Sequence, residues 1–288
     1  MASTGASAEP EGSIGWPGVT PADTTTSSEW PGVALYQQEM YREETPVKEP
    51  AALLVIDMQN DFCGPHGALA VQGGRELAGP INEALSDNWT LKIATRDYHP
   101  ADHVSFATQH PGAQPFTSTH TIANPHNPNE TQTTTLWPPH CVQGTDGYEL
   151  ISELDVWKLH YIIDKGMDKR VESYSAFGPP FTNPEVCMTG LEDLLREHDI
   201  VEVDIVGLAL DYCVKHTALD AARKGFKTTV YMNVSMAVDQ SKANLAALWK
   251  EMHEAGVLVS VHRPTNWGDE LNLLDFWNEI IDMAKALP

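Results

Sequence analysis

The sequence predicts a three-layer α/β/α fold, in which a mainly parallel sheet of about six strands lies between two layers of helices. From residue 50 onward, short apolar runs alternate with helical stretches. Strand–helix–strand repetition of this kind is typical of a parallel sheet with right-handed crossovers. Most of the runs are continuously apolar rather than alternating, as in strands that are buried on both faces.

The apolar runs predict the strands, and the stretches between them predict the helices. Strands are expected at 51–57 ("AALLVID"), 91–97 ("LKIATRD"), 160–166 ("HYIIDKG"), 201–209 ("VEVDIVGLA"), 226–232 ("FKTTVYM") and 256–262 ("GVLVSVH"). Helices are expected near 75–86, 188–198, 212–224, 240–255 and 270–286. Gly225 indicates the end of a helix immediately before a strand.

Two segments depart from this pattern. The insert at 99–140, rich in Pro, Asn, Thr and His, is expected to form no regular element, and a loop of that length usually belongs to a functional site. Residues 1–49 are rich in Ser, Thr, Pro, Gly and Glu. Such a composition buries too little apolar surface to offset the entropy of ordering, so we expect a disordered arm before one catalytic domain at 50–288. A repeated "WPGV", at 16–19 and 30–33, leaves a docking arm with two Trp anchors as the alternative.

The composition excludes several classes of protein. The formal net charge of −22 disfavours nucleic acid and anionic membranes as partners, because both bind clusters of Lys and Arg that we do not find. No apolar run reaches the length of about 18 residues that a membrane span needs. The four cysteines have no CxxC spacing, so neither a disulfide framework nor a zinc–thiolate site is indicated. A reducing, cytoplasmic compartment is therefore expected.

Ionisable residues follow four of the predicted strands. The first strand ends at Asp57, the second at Asp97 and the third at Lys165. The fourth leads through a tight turn to Cys213, near the start of a helix. Since ligands in such folds bind beyond the carboxyl ends of the strands, these side chains are expected to share one cleft.

Each of these residues has an ordinary structural explanation. An Asp after a strand is often a turn former, a lone Lys is usually solvated, and a lone Cys is more often a small buried hydrophobe. Together, an acid, an amine and a thiol form a coherent catalytic set, and we interpret Cys213 as a nucleophile. Lys165 and the helix that starts near Tyr212 would favour its thiolate, and Asp57 would accept and relay the proton.

A second group of residues suggests a metal site. Asp97 and His99 are two residues apart, so in extended backbone their side chains project to the same face. His140, beyond the insert, would complete three ligands, and one carboxylate with two imidazoles suits Zn, Fe or Mn. D-x-H alone is a weak signal, and a hydrogen-bonded structural pair is the alternative. Other histidines of the insert compete as ligands, namely His103, His110, His120 and His126.

Six blocks, in this order, resemble the nicotinamidases of the isochorismatase-like cysteine hydrolase superfamily, and the likeness to fungal-type nicotinamidases covers about residues 50–262. The blocks are "LLVIDMQNDF", "TRDYHPADHVSFA", "LWPPHCVQGT", "IIDKG", "YSAF" and "IVGLALDYCVKHTALDA". The resemblance implies the isochorismatase-like hydrolase fold and the hydrolysis of nicotinamide to nicotinate and ammonia through a cysteine thioester, a reaction of NAD salvage.

The resemblance also implies a role for each matched residue. The catalytic triad would be Asp57, Lys165 and Cys213. A divalent metal, most commonly zinc, would be held by Asp97, His99 and His140, with Gln59 behind them. A cis peptide bond between Leu208 and Ala209 would aim the Ala209 N–H, beside that of Cys213, into an oxyanion hole. The substrate ring would lie among Phe62, Trp137, Leu208 and Tyr174.

Three rival functions remain open. A related metal-dependent cysteine amidase would act on another small amide, such as pyrazinamide. A non-haem Fe(II) oxygenase also uses two His and a carboxylate, but it would leave Cys213 and Lys165 without a task. A catalytically silent binding protein would have no need of an intact triad. We expect a small amide as the binding partner of the protein. The sequence leaves open whether the protein forms a homo-oligomer.

Overall fold

The computed structural model of the protein describes residues 49–261 and 274–287. The predicted arm, apart from Glu49, lies outside the described residues, as do the last residue of the strand expected at 256–262 and the start of the helix expected at 270–286.

The strands of the described part are β1 (Ala51–Ile56), β2 (Leu91–Asp97), β3 (Thr119–Asn124), β4 (Asn127–Thr135), β5 (Tyr161–Lys165), β6 (Glu202–Leu208), β7 (Lys227–Met236) and β8 (Leu258–Ser260). Its α-helices are α1 (Asn60–Cys63), α2 (Ala78–Ala84), α3 (Leu191–Glu197), α4 (Lys215–Arg223), α5 (Lys242–Glu254) and α6 (Leu274–Ala286).

Six strands form one parallel sheet in the order β5-β2-β1-β6-β7-β8, which confirms the predicted fold class. The register pairs Ile56 of β1 with Gly207 of β6, and Asp97 of β2 with Lys165 of β5. Because the strands are parallel, the carboxyl ends of these four strands meet at one edge of the sheet.

The central strand β1 shows why its sequence is continuously apolar. All six of its residues are buried. Leu54 and Ile56 pack in one hydrophobic cluster, to which helices α3 to α6 contribute, whereas Leu53 and Val55 pack in a second cluster with α1 and α2. Alternate side chains of a strand point to opposite faces, so the sheet is covered by helices on both sides.

The insert is more regular than the sequence predicts. Strands β3 and β4 pair antiparallel within it and form a separate two-stranded sheet. Threonine recurs along both strands and has a high β propensity, while the turn between them contains Pro125 and His126. The polar composition of the insert resembles that of a loop because most of the hairpin faces solvent. The prediction that the insert contains no regular element was therefore wrong.

Several element boundaries also differ from the prediction. The helix expected at 75–86 is a 3₁₀ turn (Gly74–Leu77) followed by α2. Pro80 has no N–H and fits only in the first turn of an α-helix, which places the start of α2 at Ala78. The helix expected at 212–224 begins with a π-helical turn (Leu210–Val214) and continues as α4. Among the described residues, no helix combines the length and the apolar character that crossing a membrane would need.

Candidate active site

Four of the side chains singled out in the sequence meet at the carboxyl edge of the sheet. Asp57 directly follows β1 with a left-handed φ of +48°. Asp97 and Lys165 end β2 and β5, and Cys213 lies in the π-helical turn after β6. At most 6% of each residue is exposed, so the group is shielded from water.

Lys165 is the centre of this group. Its Nζ lies 3.0 Å from Asp57 Oδ2 and 3.3 Å from Cys213 Sγ. It also donates a hydrogen bond to Asp97 Oδ1. Burial by itself would lower the pKa of Lys165, but Asp57, Asp97 and Cys213 together raise this pKa well above its ordinary value. The side chain is therefore a fixed cation among acidic groups.

Cys213 and Asp57 form a donor–acceptor pair for one proton. Burial raises the pKa of the Cys213 thiol well above its ordinary value, and Lys165 opposes only part of that increase. Burial also raises the pKa of Asp57, against the effect of Lys165. Burial thus favours the protonated thiol of Cys213 and increases the proton affinity of the neighbouring Asp57 carboxyl group. Because α4 begins at Lys215, the thiol precedes the α-helix instead of lying in its first turn, and Lys165 is the nearby positive charge.

Thr95 contacts Asp57 and was missed in the sequence. Its Oγ1–H donates to Asp57 Oδ1 over 2.6 Å, and the Asp57 N–H donates to Thr95 Oγ1 over 3.2 Å. The first bond occupies Oδ1, while Oδ2 faces Lys165. Thr95 is two residues before Asp97 on β2, and this shared face was the signal that could have identified it.

A second cluster lies on the other side of Lys165. Asp97 Oδ2 is 3.5 Å from His99 Nε2 and 3.8 Å from His140 Nε2. These three ligand atoms all lie within 4.8 Å of one another, as a shared metal ion would require. Gln59 accepts from the Asp97 N–H and donates to the Asp97 carbonyl, each over 2.8 Å, so it fixes the backbone of this ligand rather than an imidazole.

Both imidazoles are oriented by their other nitrogen. His99 Nδ1 donates to the Gly166 carbonyl over 2.9 Å, and His140 Nδ1 donates to the Pro138 carbonyl over 2.8 Å. This is how metal-binding histidines are usually held, with Nε2 left for the ion. Within the described part of the chain, His99 Nε2 is buried and makes no hydrogen bond, although Asp97 Oδ2 lies 3.5 Å away. A buried nitrogen of this kind is costly unless a ligand occupies it, so the donor set fits a divalent metal.

Of the competing histidines of the insert, His103 groups with His99 and Glu172 rather than with Asp97 and His140. His103 is buried beside His99, and its nitrogens are hydrogen-bonded to Ser105 Oγ and the Val171 carbonyl. Burial, and next the nearby His99, lower the pKa of His103 to about 4. The remaining three are elsewhere: the rings of His110 and His120 pack on each other with centroids 4.3 Å apart, and His126 is exposed.

A pocket that opens to solvent lies beside both clusters. Phe62, Trp137 and Tyr174, which were expected around a substrate, line it together with Ala209 and Cys213. Leu208, also expected there, is not one of the lining residues. Its side chain is fully buried, and a Cβ on Gly74 would lie 2.9 Å from it. The peptide bond between Leu208 and Ala209 is cis, as the resemblance implies.

The aromatic wall is held by its own hydrogen bonds. Trp137 Nε1 donates to Tyr174 Oη over 2.9 Å, and Thr134 Oγ1 lies 2.7 Å from the same hydroxyl. Tyr212, which was not singled out, packs edge-on against Trp137 with ring centroids 4.9 Å apart. Glu172, a buried carboxylate that was also missed, lines the pocket too. Neither residue has a distinctive position in the sequence, because only the folded chain brings them to this wall.

Comparison with known proteins agrees with this geometry. The family model described as "Isochorismatase domain" matches residues 51–263. The protein belongs to the isochorismatase family. Among its relatives within the family, a nicotinamidase from Saccharomyces cerevisiae is 41% identical over 214 residues, which cover 72% of this chain and 97% of the relative. A nicotinamidase from Escherichia coli is 39% identical over 215 residues, covering 73% and 94%.

Solved structures of the isochorismatase family show the same fold. Yeast nicotinamidase bound to the inhibitor nicotinaldehyde superposes with a TM-score of 0.68 at 37% identity, over 73% of this chain and 98% of that one. A pyrazinamidase of Pyrococcus horikoshii in complex with zinc gives a TM-score of 0.56 at 30% identity, over 73% and 98%. This family member is therefore an amidohydrolase, and a divalent metal fits its cluster of Asp97, His99 and His140.

Proposed function

We propose that the protein is a nicotinamidase, which hydrolyses nicotinamide to nicotinate and ammonia through a thioester on Cys213. The observation that carries this proposal is the position of Lys165 Nζ, 3.0 Å from Asp57 Oδ2 and 3.3 Å from Cys213 Sγ, beside an aromatic-walled pocket. A thiol with an adjacent base and a fixed cation is suited to nucleophilic attack on an acyl carbon. Relatives at about 40% identity that are named nicotinamidases support the same substrate.

The reaction can be written with three side chains. Asp57 accepts the proton of the Cys213 thiol as sulfur attacks the carboxamide carbon. When the C–N bond breaks, Asp57 returns this proton to the departing nitrogen, which leaves as ammonia. Water then donates a proton to Asp57 and attacks the thioester, and Cys213 recovers its proton from Asp57 as the C–S bond breaks. Lys165 remains protonated throughout and stabilises whichever neighbour carries the negative charge.

Two backbone donors are proposed to stabilise the tetrahedral intermediate. Ala209 and Cys213 both line the pocket, and their N–H groups are the oxyanion hole that we assign. A donor of this kind typically contributes about 3 kcal/mol to the stabilisation of the transition state.

The metal centre is assigned to Asp97, His99 and His140, with zinc as the preferred ion; iron or manganese would suit the same donors. When bound, the ion supplies a Lewis acid to which the pyridine nitrogen of the substrate can bind. The pyrazinamidase of Pyrococcus horikoshii, whose structure was solved in complex with zinc, supports this choice. Phe62 and Trp137 are proposed to hold the ring on its two sides, with Tyr174 near the entrance, so that the carboxamide is presented to Cys213.

Release of ammonia from nicotinamide tests the assignment. Purified protein is compared with Cys213→Ala and with a chelator-treated sample, and Cys187→Ala serves as the matched control because Cys187 is an exposed thiol that belongs to neither cluster and does not line the substrate pocket. We expect full activity in Cys187→Ala, none in Cys213→Ala, and a loss on chelation that added zinc reverses. Pyrazinamide is assayed in parallel. A folded, zinc-loaded protein that releases no ammonia from nicotinamide would contradict the proposed substrate.

A further inference from the structure

One carboxylate of the "DMQNDF" stretch takes no part in the chemistry proposed above. Asp61 lies in α1, and each of its oxygens accepts a different backbone N–H. Oδ2 accepts from Cys141 over 2.7 Å, and Oδ1 accepts from Ala68 over 3.1 Å. Only a side chain with two acceptor oxygens can satisfy both donors in this arrangement.

The carboxylate is also packed directly against the loop that follows His140. A Cβ added to Gly147 would lie 2.1 Å from Asp61 Oδ2, so the space is filled by the carboxylate itself. The preceding residue of α1 strengthens the same contact: Asn60 Nδ2 donates to the Asp146 carbonyl and its N–H donates to the Glu149 carbonyl, each over 2.9 Å. Helix α1 therefore holds the segment at 141–149 by several bonds.

Cys141 connects this contact to both imidazoles of the metal cluster. It directly follows His140 and has a left-handed φ of +47°, which a residue with a Cβ rarely adopts. Its N–H is held by Asp61, while its carbonyl accepts from the His99 N–H over 3.1 Å. The His99 carbonyl in turn accepts from Gln143 over 2.9 Å. The backbone of Cys141 is thus bonded to the His99 segment on one side and to Asp61 on the other.

We propose that Asp61 is a positioning residue of the metal centre. By holding the N–H of Cys141, its carboxylate stabilises the left-handed backbone after His140 and sets the separation between the His140 and His99 rings. The inference rests on the metal assignment made under the proposed function. Outer residues that orient metal ligands typically change metal affinity by about 10- to 100-fold when they are replaced.

Asp61→Asn is the sharpest variant for the test. An amide keeps one acceptor oxygen but places an NH₂ group opposite the second N–H, so one of the two bonds is lost and replaced by two facing donors. Asp146→Asn is the matched control, since Asp146 is an exposed carboxylate on the same loop. The dissociation constant of zinc is measured on metal-free protein by competition with a chromophoric chelator. We expect it to rise about 10- to 100-fold in Asp61→Asn and to stay unchanged in Asp146→Asn.

A second variant perturbs the same contact without changing the carboxylate. Gly147→Ala would push a methyl group against Asp61 Oδ2 and is expected to weaken zinc binding in the same direction. If Asp61→Asn fails to fold, the zinc affinity of Gly147→Ala tests the positioning role in its place. Excess zinc should restore kcat in either variant, because the catalytic side chains are intact.

The outcomes separate this inference from the metal assignment. Wild-type protein that binds no zinc would overturn both. Wild-type protein that binds zinc, together with variants that bind it equally well but melt at a lower temperature, would leave the metal centre in place and show that Asp61 only stabilises the fold. Weaker zinc binding by both variants, with the control unchanged, would support the positioning role.

Discussion

Lys165 links the proposed chemistry to the proposed metal centre through a single ammonium group. It contacts Asp57 and Cys213 on one side and hydrogen-bonds Asp97 on the other. A buried cation between two carboxylates is stable only because each charge compensates the other, and removal of one partner from such a pair typically costs about 3–5 kcal/mol. Replacement of Lys165 should therefore affect both the reactivity of the thiol and the stability of the fold.

The reactivity of Cys213 provides a direct test at the scale of this residue. Lys165 lowers the pKa of the Cys213 thiol, so Lys165→Ala should raise it further and leave less thiolate at neutral pH. We expect slower alkylation by iodoacetamide near pH 7, measured in a Cys187→Ala background so that the exposed thiol does not react. Lys169→Ala, which removes an exposed lysine paired with Asp102, is the control. An unchanged alkylation rate in Lys165→Ala would contradict the assigned electrostatic role.

At the scale of elements, Glu130 joins the β3–β4 hairpin to the loop at 182–184. Its oxygens accept the N–H groups of Thr182 over 2.7 Å and of Asn183 over 3.2 Å, and a hydrogen bond from Asn124 Nδ2 over 2.6 Å. The Thr182 N–H, followed by Asn124, lowers the pKa of Glu130 from an ordinary 4.5 to about 2. The hairpin carries Thr134, which contacts Tyr174 of the pocket wall, so this junction also supports the site.

The pH dependence of that junction can be stated with its sign. A carboxyl whose pKa is lower in the folded state stabilises the fold above its unfolded pKa, and the contribution is lost as the pH falls toward the folded pKa. The melting temperature of Glu130→Gln should therefore lie below that of the wild type at pH 7. The difference should shrink as the pH decreases from about 4.5 toward 2. Glu185→Gln, at an exposed position of the same loop, is the control. A difference independent of pH would refute the role of the charge.

At the scale of the whole molecule, one parallel sheet brings ionisable side chains from distant parts of the chain to the carboxyl edge of its strands. Asp57 and Cys213 are more than a hundred residues apart in the chain, and Lys165 lies between them in the sequence. The register of the parallel strands nevertheless brings all three side chains into contact. The single catalytic domain at 50–288, the cytoplasmic location and a homo-oligomer stay predictions.

Removal of the predicted arm tests the proposed domain organisation. If residues 50–288 form the catalytic domain by themselves, deletion of residues 2–47 should leave the melting temperature, the oligomeric state and kcat/KM for nicotinamide unchanged. Calorimetry, light scattering and the ammonia assay would show this. A lower melting temperature or a smaller assembly would instead favour an arm that docks through the repeated "WPGV" segments.

Much of the candidate site could be predicted because it lies at strand ends. A polar residue that interrupts an apolar run is visible in a single sequence, and parallel pairing then dictates that Asp57, Asp97 and Lys165 lie together. Thr95 and Glu172 were missed because their importance comes from contacts with residues far away in the chain. Leu208 was expected at the pocket from the resemblance, but its side chain turns into the core.

The sequence by itself determined the fold class, the order of the six main strands along the chain and the identity of the thiol, the amine, the acid and the three potential metal ligands. The fold class and the strand-end residues follow from local patterns, namely apolar runs and the residues that end them, whereas the choice of His99 and His140 over the other histidines of the insert follows from the resemblance to a known family. Only the tertiary structure decided that burial raises the pKa of the Cys213 thiol, that His99 Nε2 makes no hydrogen bond within the described residues and that Asp61 holds the segment after His140. Burial, ring orientation and backbone hydrogen bonds across the fold depend on neighbours that no local stretch of sequence contains.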